Sequence, residues 1–319
     1  MSGSNDHIDD IDRRYGELTI AEAAERLRGG ELVAVPTETV YGLAADSTNT
    51  EAVAEIYRTK GRPDFNPLIV HVPDQISAKK LGHFNALACK IADRFWPGPL
   101  TLVVPLNPTA PVTAAVTAGL DTIALRCPAH PVMQKLLKTS GLFLAAPSAN
   151  KSGAISPTTA KHVRHSLGDC DISILDAGAS ADGLESTIVA VTGENYHVLR
   201  PGPVSTEGLA KYLGQAPSQN SDPKIQAPGQ LASHYAPSKI LRLDSKQAEH
   251  GEFLIGFGSV GGHISLSESG DLAEAASKLF ALLHIADASE MSAIAIAPIP
   301  AHGIGRAIND RLRRAAFRE

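Results

Sequence analysis

Hydrophobic residues recur at helical spacing in some stretches of this chain and in short unbroken runs in others. "TIAEAAERLRGG" reads as a helix, with Thr19 and Glu22 forming a capping box and Gly29 as its C-terminal stop. "NTEAVAEIYRT" has helical spacing too, with Val53, Ile56 and Tyr57 on one face. "NALACKIADRFWPG" and "HPVMQKLLKTSG" add two more helices. "SPTTAKHVRHSLG" opens a further one, with Ser156 as N-cap and Pro157 at the first helical position. Between them, "ELVAVP", "PLIVHV", "LTLVVPL", "TIALRCP" and "LFLAAP" read as strands, the last apolar enough to be buried on both faces. "STIVAV" and "YHVLRP" flank "TGEN" as a hairpin. The mixture predicts an α/β domain over residues 16–213, behind a flexible polar tail over 1–15.

The periodic pattern lapses after Leu213. "GQAPSQNSDPKIQAPGQLASHYAPS" is rich in Pro, Gln, Ser and Ala and reads as a linker, residues 214–237. Linkers of this length are commonly disordered or functional, and "HYAP" within it is an unusual cluster for a plain spacer. Beyond it, "KILRLD", "EFLIGFG", "DLAEAASKLFALLHIADAS", "AIAIAPIP" and "GIGRAINDRLRRAAF" read as β, β, α, β, α, a small domain over 238–319. "GFGSVG" matches a dinucleotide fingerprint, but "GHISLSES" after it is no helix, so the phosphate-binding context fails.

Composition narrows the classes. With 319 residues, 43% hydrophobic content and mean hydropathy of -0.03, the chain suits two soluble domains with ordinary cores. A net charge of -5 and a pI near 6.2 argue against broad electrostatic binding of nucleic acid, while allowing a local basic pocket. Cys89, Cys127 and Cys170 have no CxxC spacing, which suggests a reducing compartment and no zinc site. The polar N-terminus is no signal peptide, and no apolar run nears the ~20 residues that span a bilayer. A cytoplasmic location and no membrane partner are expected.

Polar chemistry clusters at strand ends. In "YRTKGRPDFNPLIVH", Lys60, Arg62, Asn66 and His71 fall within twelve residues, stiffened by Pro63 and Pro67. Lys60 and Arg62 lie just past a helix, where cations can meet the last carbonyls; the alternative is an anion site, a planar fork beside a point charge. "PTETVYGLAAD" places Thr37, Glu38 and Thr39 after a strand, either a polar turn or a ligand site. "APSAN" ends an apolar strand in Ser148 and Asn150, which either cap a turn or face a cleft. Ser156 would begin a helix whose free N–H groups suit phosphate. Arg126 ends an apolar strand, and a buried Arg calls for an anionic partner. Ser186 begins one strand and Arg200 ends another. No P-loop, GxSxG or HExxH is present.

Taken in order, "PTETVYGLAAD", "KGRPDFNPLIVH", "WPGPLTLV", "ALRCP", "APSAN", "STIV" and "LRPG" resemble the YrdC-like family, the threonylcarbamoyl-AMP synthases. The KxR element is Lys60-Gly61-Arg62 and the SxN element is Ser148-Ala149-Asn150. The resemblance covers about residues 17–213, and "APGQLASHYAP" with the α/β tail resembles the longer, two-domain form. It implies an open, twisted mixed α/β sheet around a concave basic cavity, followed by a small C-terminal α/β Rossmann-like domain on a long linker. It implies a nucleotidyltransferase that joins L-threonine, bicarbonate or CO2 and ATP, with Mg²⁺ carried by ATP and no metal on protein side chains. A partner complex would then pass the threonylcarbamoyl group to tRNA.

By the same resemblance, Thr39, His71, Arg126 and Ser186, with the backbone at Ala146, would hold threonine. Lys60, Arg62, Asn66, Thr122, Ser148, Asn150, Ser156, Arg200 and Tyr235 would surround ATP. Lys60 and Arg62 would offset phosphate charge during the reaction. The linker around Tyr235 would cover the site as a lid. Two rival readings are an RNA-binding module using the basic cavity, and a carbamoyltransferase-like domain of hydrogenase maturation proteins. The second carries zinc-finger and acylphosphatase segments that this sequence lacks.

Overall fold

The structure is a computed structural model that describes residues 14–218 and 234–317. Linker residues 219–233, and with them most of the expected lid, lie outside the described residues. The first unit runs β1 (Arg14–Tyr15), β2 (Leu18–Thr19), α1 (Ile20–Arg28), β3 (Val33–Val35), β4 (Gly42–Asp46), α2 (Thr50–Lys60) and β5 (Ile69–His71). It continues α3 (Gln75–Leu81), α4 (Ala86–Phe95), β6 (Leu100–Pro105), α5 (Ala114–Thr117), β7 (Thr122–Arg126), α6 (Pro131–Ser140) and β8 (Leu144–Ala145). Then come α7 (Ala160–Leu167), β9 (Ser173–Ile174), β10 (Thr187–Thr192), β11 (Asn195–Arg200) and α8 (Thr206–Leu213). The second unit is β12 (Ile240–Arg242), β13 (Glu252–Gly256), β14 (Ile264–Ser265), α9 (Leu272–Asp287), β15 (Ala293–Ile296) and α10 (Gly305–Ala316).

Local chemistry explains most of these boundaries. Thr19 and Glu22 close the capping box of α1, each side chain bonded to the other's N–H. The buried face of α1, Ile20, Ala23, Ala24 and Leu27, joins Met133, Leu136 and Leu137 of α6 in one cluster. Each such large side chain contributes about 1.5–3 kcal/mol on full burial. Asn49 caps α2 by accepting from the Glu51 and Ala52 N–H groups, and Gly61 ends it in the left-handed region at φ 61°.

The sequence reading left out β4, α3, α5, β9 and α8, and four further details differ from it. Arg14–Tyr15 pairs with Leu18–Thr19, so the expected tail is ordered at its inner end. Lys60 is the last residue of α2 rather than beyond it. The helix after "APSAN" starts at Ala160 with Thr159 as its cap, not at Ser156 and Pro157. The reason is tertiary: the Ser156 hydroxyl is bonded to Glu185, and the Pro157 and Thr158 carbonyls accept from the Tyr41 and Ser180 N–H groups. The fourth is the two-residue strand β14, within the segment that had shown no helical character.

Nine strands form one mixed sheet in the order β11-β10-β6-β7-β5-β8-β4-β3-β9. β5 and β7 run parallel, with His71 opposite Arg126. β6 and β10 run parallel to each other, and β6 antiparallel to β7, so their starts lie beside the ends of β5 and β7. The second unit is a four-stranded parallel sheet, β12-β15-β13-β14, covered by α9 and α10. Among the described residues, no helix is long and apolar enough to cross a membrane.

The units meet through His284 of α9. Its ring stacks on His162 of α7 at 4.0 Å between centroids, and its Nε2 lies 3.2 Å from the Ser156 carbonyl. Burial pulls both imidazoles down to about 4. An unfolded histidine takes up its proton near ~6.5. Below that pH the unfolded chain binds protons that the folded one refuses, so stability falls as pH drops from ~6.5 toward ~4. Thermal unfolding followed across this window should show that loss, and His162→Phe should flatten it. Gly202 is a second marker. A Cβ there would lie 2.4 Å from the Thr187 nitrogen and 2.7 Å from the Glu185 carbonyl oxygen. Gly202→Ala should cost about 1–3 kcal/mol, read as a lower urea midpoint.

Candidate active site

Strand direction gathers the predicted residues at one end of the sheet. His71 and Arg126 close the parallel strands β5 and β7. Ser186 precedes β10, and its hydroxyl lies 2.7 Å from that of Thr101 on the neighbouring β6. Arg200 ends β11 opposite Ile188. The β3–β4 connection brings Thr37 and Thr39 to the same end, and Gly42 bridges to Ser148. Between them lies a narrow cavity with an interior volume of about 50 Å³. Of the predicted residues, Thr39, Arg62, His71, Arg126, Ala146, Ser148, Ser186, Arg200 and Tyr235 line it.

One side is built on Arg126. Its Nη1 donates to Thr39 Oγ1 at 2.8 Å, its Nε to the Gly98 carbonyl at 3.2 Å, and its Nη2 lies 2.6 Å from Glu38 Oε1. At least two of its five N–H groups remain. Glu38 also accepts from the Ala129 N–H; burial pushes its carboxyl up, but Arg126 together with backbone N–H donors holds it below the usual range. The sequence reading called for an anionic partner for Arg126, with threonine's carboxylate implied by the family resemblance. The structure shows that it already has one carboxylate, and that Glu38 steers the fork. His71 is buried, and burial, reinforced by Arg126, lowers it to about 3. It is therefore neutral and a weak base. Its Nδ1 has no hydrogen-bond partner.

The other side is cationic. Arg62 donates to the carbonyls of Asn66 and Pro67, curling its own loop around the guanidinium. Burial lowers it to about 10, still charged at neutral pH. Arg200 holds the Ser186 carbonyl with Nε and Nη2 and reaches the Ser186 hydroxyl at 3.2 Å. Lys60 does not serve its own helix end. Its Nζ reaches the carbonyls of Ser148 at 2.6 Å and Asn150 at 2.5 Å, tying the KxR and SxN elements together. Burial, with Arg62 and Lys151 nearby, pushes its pKa well down. Among the described residues, Lys60 and Arg62 donate to backbone carbonyls rather than to carboxylates.

Five predicted residues lie off the cavity lining. Lys60, Asn66 and Asn150 are buried behind it, and Ser156 is turned toward Glu185. Both polar atoms of the Asn66 amide and the Asn150 Oδ1 are buried without partners. Such groups are rare without a ligand or water to satisfy them. Thr122 starts β7, four residues before Arg126 and so roughly 13 Å away at about 3.3 Å per residue. Tyr235 has φ 64° and is buried, its ring 5.6 Å from Phe280 and 5.1 Å from the Arg311 guanidinium carbon. The Ala236 N–H donates to the Gly153 carbonyl, which lays this end of the linker along the "APSAN" loop. Glu185 and His234 also line the cavity, and sequence reasoning missed both. Adjacency was the available signal, since each directly precedes a predicted residue.

Two family models match the chain. The Sua5/YciO/YrdC model, described as "Telomere recombination", covers residues 25–202; the "Threonylcarbamoyl-AMP synthase, C-terminal domain" model covers 204–317. The chain is 38% identical to a threonylcarbamoyl-AMP synthase of Bacillus subtilis, over 93% of this chain and 92% of the relative. It is 37% identical to one of Pyrococcus abyssi, over 97% of each. The crystal structure of P. abyssi Sua5 complexed with L-threonine superposes with a TM-score of 0.86 at 35% identity, over 95% of this chain and 96% of that one. This chain therefore belongs to the Sua5/YciO/YrdC family, in the two-domain form of the threonylcarbamoyl-AMP synthases.

Proposed function

We propose that the cavity condenses L-threonine, bicarbonate or CO2 and ATP into L-threonylcarbamoyl-AMP and pyrophosphate. One observation carries this reading. A single cavity joins an Arg126–Thr39–His71 corner suited to an amino acid with an Arg62–Arg200 wall suited to phosphates. The buried cations sit inside an enclosed site rather than across a surface, which suits a nucleotide better than folded RNA.

The chemistry asks for placement. Threonine's nitrogen attacks the carbon of CO2 and loses a proton, giving a carbamate. A carbamate oxygen then attacks the α-phosphorus as the bond to the β-phosphate oxygen breaks. Arg126 offers its remaining N–H groups to threonine's carboxylate, with Thr39 and Ser186 alongside. His71, held neutral, orients the amino acid and is too weak a base to keep the amine's proton. That proton passes to water or to a substrate phosphate. Arg62 and Arg200 stabilise charge on the phosphates, and Lys60 behind them holds the Ser148 and Asn150 carbonyls in place. ATP would arrive with magnesium, whose charge would help Arg62 and Arg200 to neutralise the phosphates. Among the described residues no group of three or more His, Cys, Asp or Glu side chains is arranged to hold a metal. Tyr235 and His234 close one side of the cavity, which protects a carbamate from loss of CO2. The product would pass to a tRNA-modifying complex in the cytoplasm.

Pyrophosphate release from ATP should require both L-threonine and bicarbonate; an unchanged rate without threonine would sink the reading. Arg126→Ala also strands Glu38, so the informative quantity is a ratio. The threonine KM should rise about tenfold or more, with a smaller change in the ATP KM. The reverse order would undo the assignment of Arg126.

A further inference from the structure

Three loops that carry candidate substrate residues have their apolar anchors in the core of the second unit. Val40 follows Thr39, Ile155 precedes Ser156, and Leu184 lies two before Ser186. All three are buried in one cluster with Leu279, Phe280 and Ile308. The contact is close. Gly183, at φ +69°, leaves no room for a Cβ, which would meet the Ser277 carbonyl oxygen of α9 at 2.3 Å.

The polar centre of this contact is Arg311 of α10, which has no exposed surface. Its Nε donates to Glu185 Oε2 at 2.8 Å, and its Nη1 pairs with Asp310 at 2.7 Å. The other Glu185 oxygen accepts from the Ser156 hydroxyl. Glu185 lines the cavity and directly precedes Ser186, whose carbonyl and hydroxyl hold Arg200. A cavity meant for a polyanion thus has a carboxylate in its wall, and the neutralising charge comes from the second unit.

We propose that Arg311 is a positioning residue for the nucleotide, so that the C-terminal unit completes the phosphate end of the catalytic cavity. Arg311 cancels the charge of Glu185 and, through that carboxylate, fixes Ser156 and the Ser186–Arg200 pair. Removing one partner of a buried ion pair leaves an uncompensated charge, whereas removing both is close to neutral. Here the stranded charge would also repel ATP. The proposal rests on the cavity being the ATP site.

The test is titration of ATP into the full chain without threonine. Arg311→Gln should weaken ATP binding about tenfold or more, as expected for a stranded buried carboxylate. Adding Glu185→Gln in the same chain should restore affinity to within about threefold of wild type. A purely structural role for Arg311 would show no such rescue. The proposal is overturned if Arg311→Gln binds ATP like wild type, or if the double variant binds no better than the single one. Where Arg311→Gln does not fold, Glu185→Gln combined with Arg311→Met answers the same question. It strands no carboxylate, since Asp310 keeps Arg314 at 3.2 Å, and should bind ATP within about threefold of wild type; a tenfold loss overturns the proposal. Because titration needs no turnover, a wild-type chain that binds ATP without threonine-dependent pyrophosphate release would refute the reaction and not this inference.

Discussion

Burying Lys60, Arg62, Arg126 and Arg200 at one end of a sheet is the constraint around which this protein is arranged. Desolvating a cation is costly unless it is hydrogen-bonded or paired. The fold meets the requirement mainly with backbone. Carbonyls of Ser148, Asn150, Asn66, Pro67, Gly98 and Ser186 all point at these groups. Such carbonyls are available because strands and helices end here, leaving main-chain acceptors outside the regular ladders. The same arrangement keeps charge for substrates: a carbonyl offsets desolvation without cancelling the cation's field, whereas a carboxylate would cancel it.

Two buried carboxylates here are each matched to an arginine. Glu38 turns Arg126, and Glu185 is met by Arg311 from the other unit. The two pairs are separate, one beside Thr39, the other beside Ser156. The Arg126 corner and the Arg62–Arg200 wall therefore each have their own electrostatic arrangement. The second unit is more than an anchor for the linker, since its core also contains Val40, Ile155 and Leu184 from loops of the first unit.

Much of this was legible in the chain. The capping box at Thr19 and Glu22, the period of α2, the hairpin around "TGEN" and the failed dinucleotide pattern all follow from local rules that hold regardless of surroundings. The misplaced start of α7 shows where such rules stop. Ser156 and Pro157 form an acceptable helix opening, but Glu185, Tyr41 and Ser180, all distant in sequence, hold residues 156–158 in another conformation.

Sequence by itself determined most of the longer elements, the family and most of the polar residues at the cavity, because motif order and periodicity are local and one-dimensional. It did not determine which of those residues face the cavity. Lys60 and Asn150 stand behind the wall that Arg62 and Ser148 form, and Thr122 lies at the far end of its strand. Nor did it reveal Glu185 and Arg311 as partners, 126 residues apart. Those assignments depend on which loop approaches which, and only the packing of one unit against the other decides that.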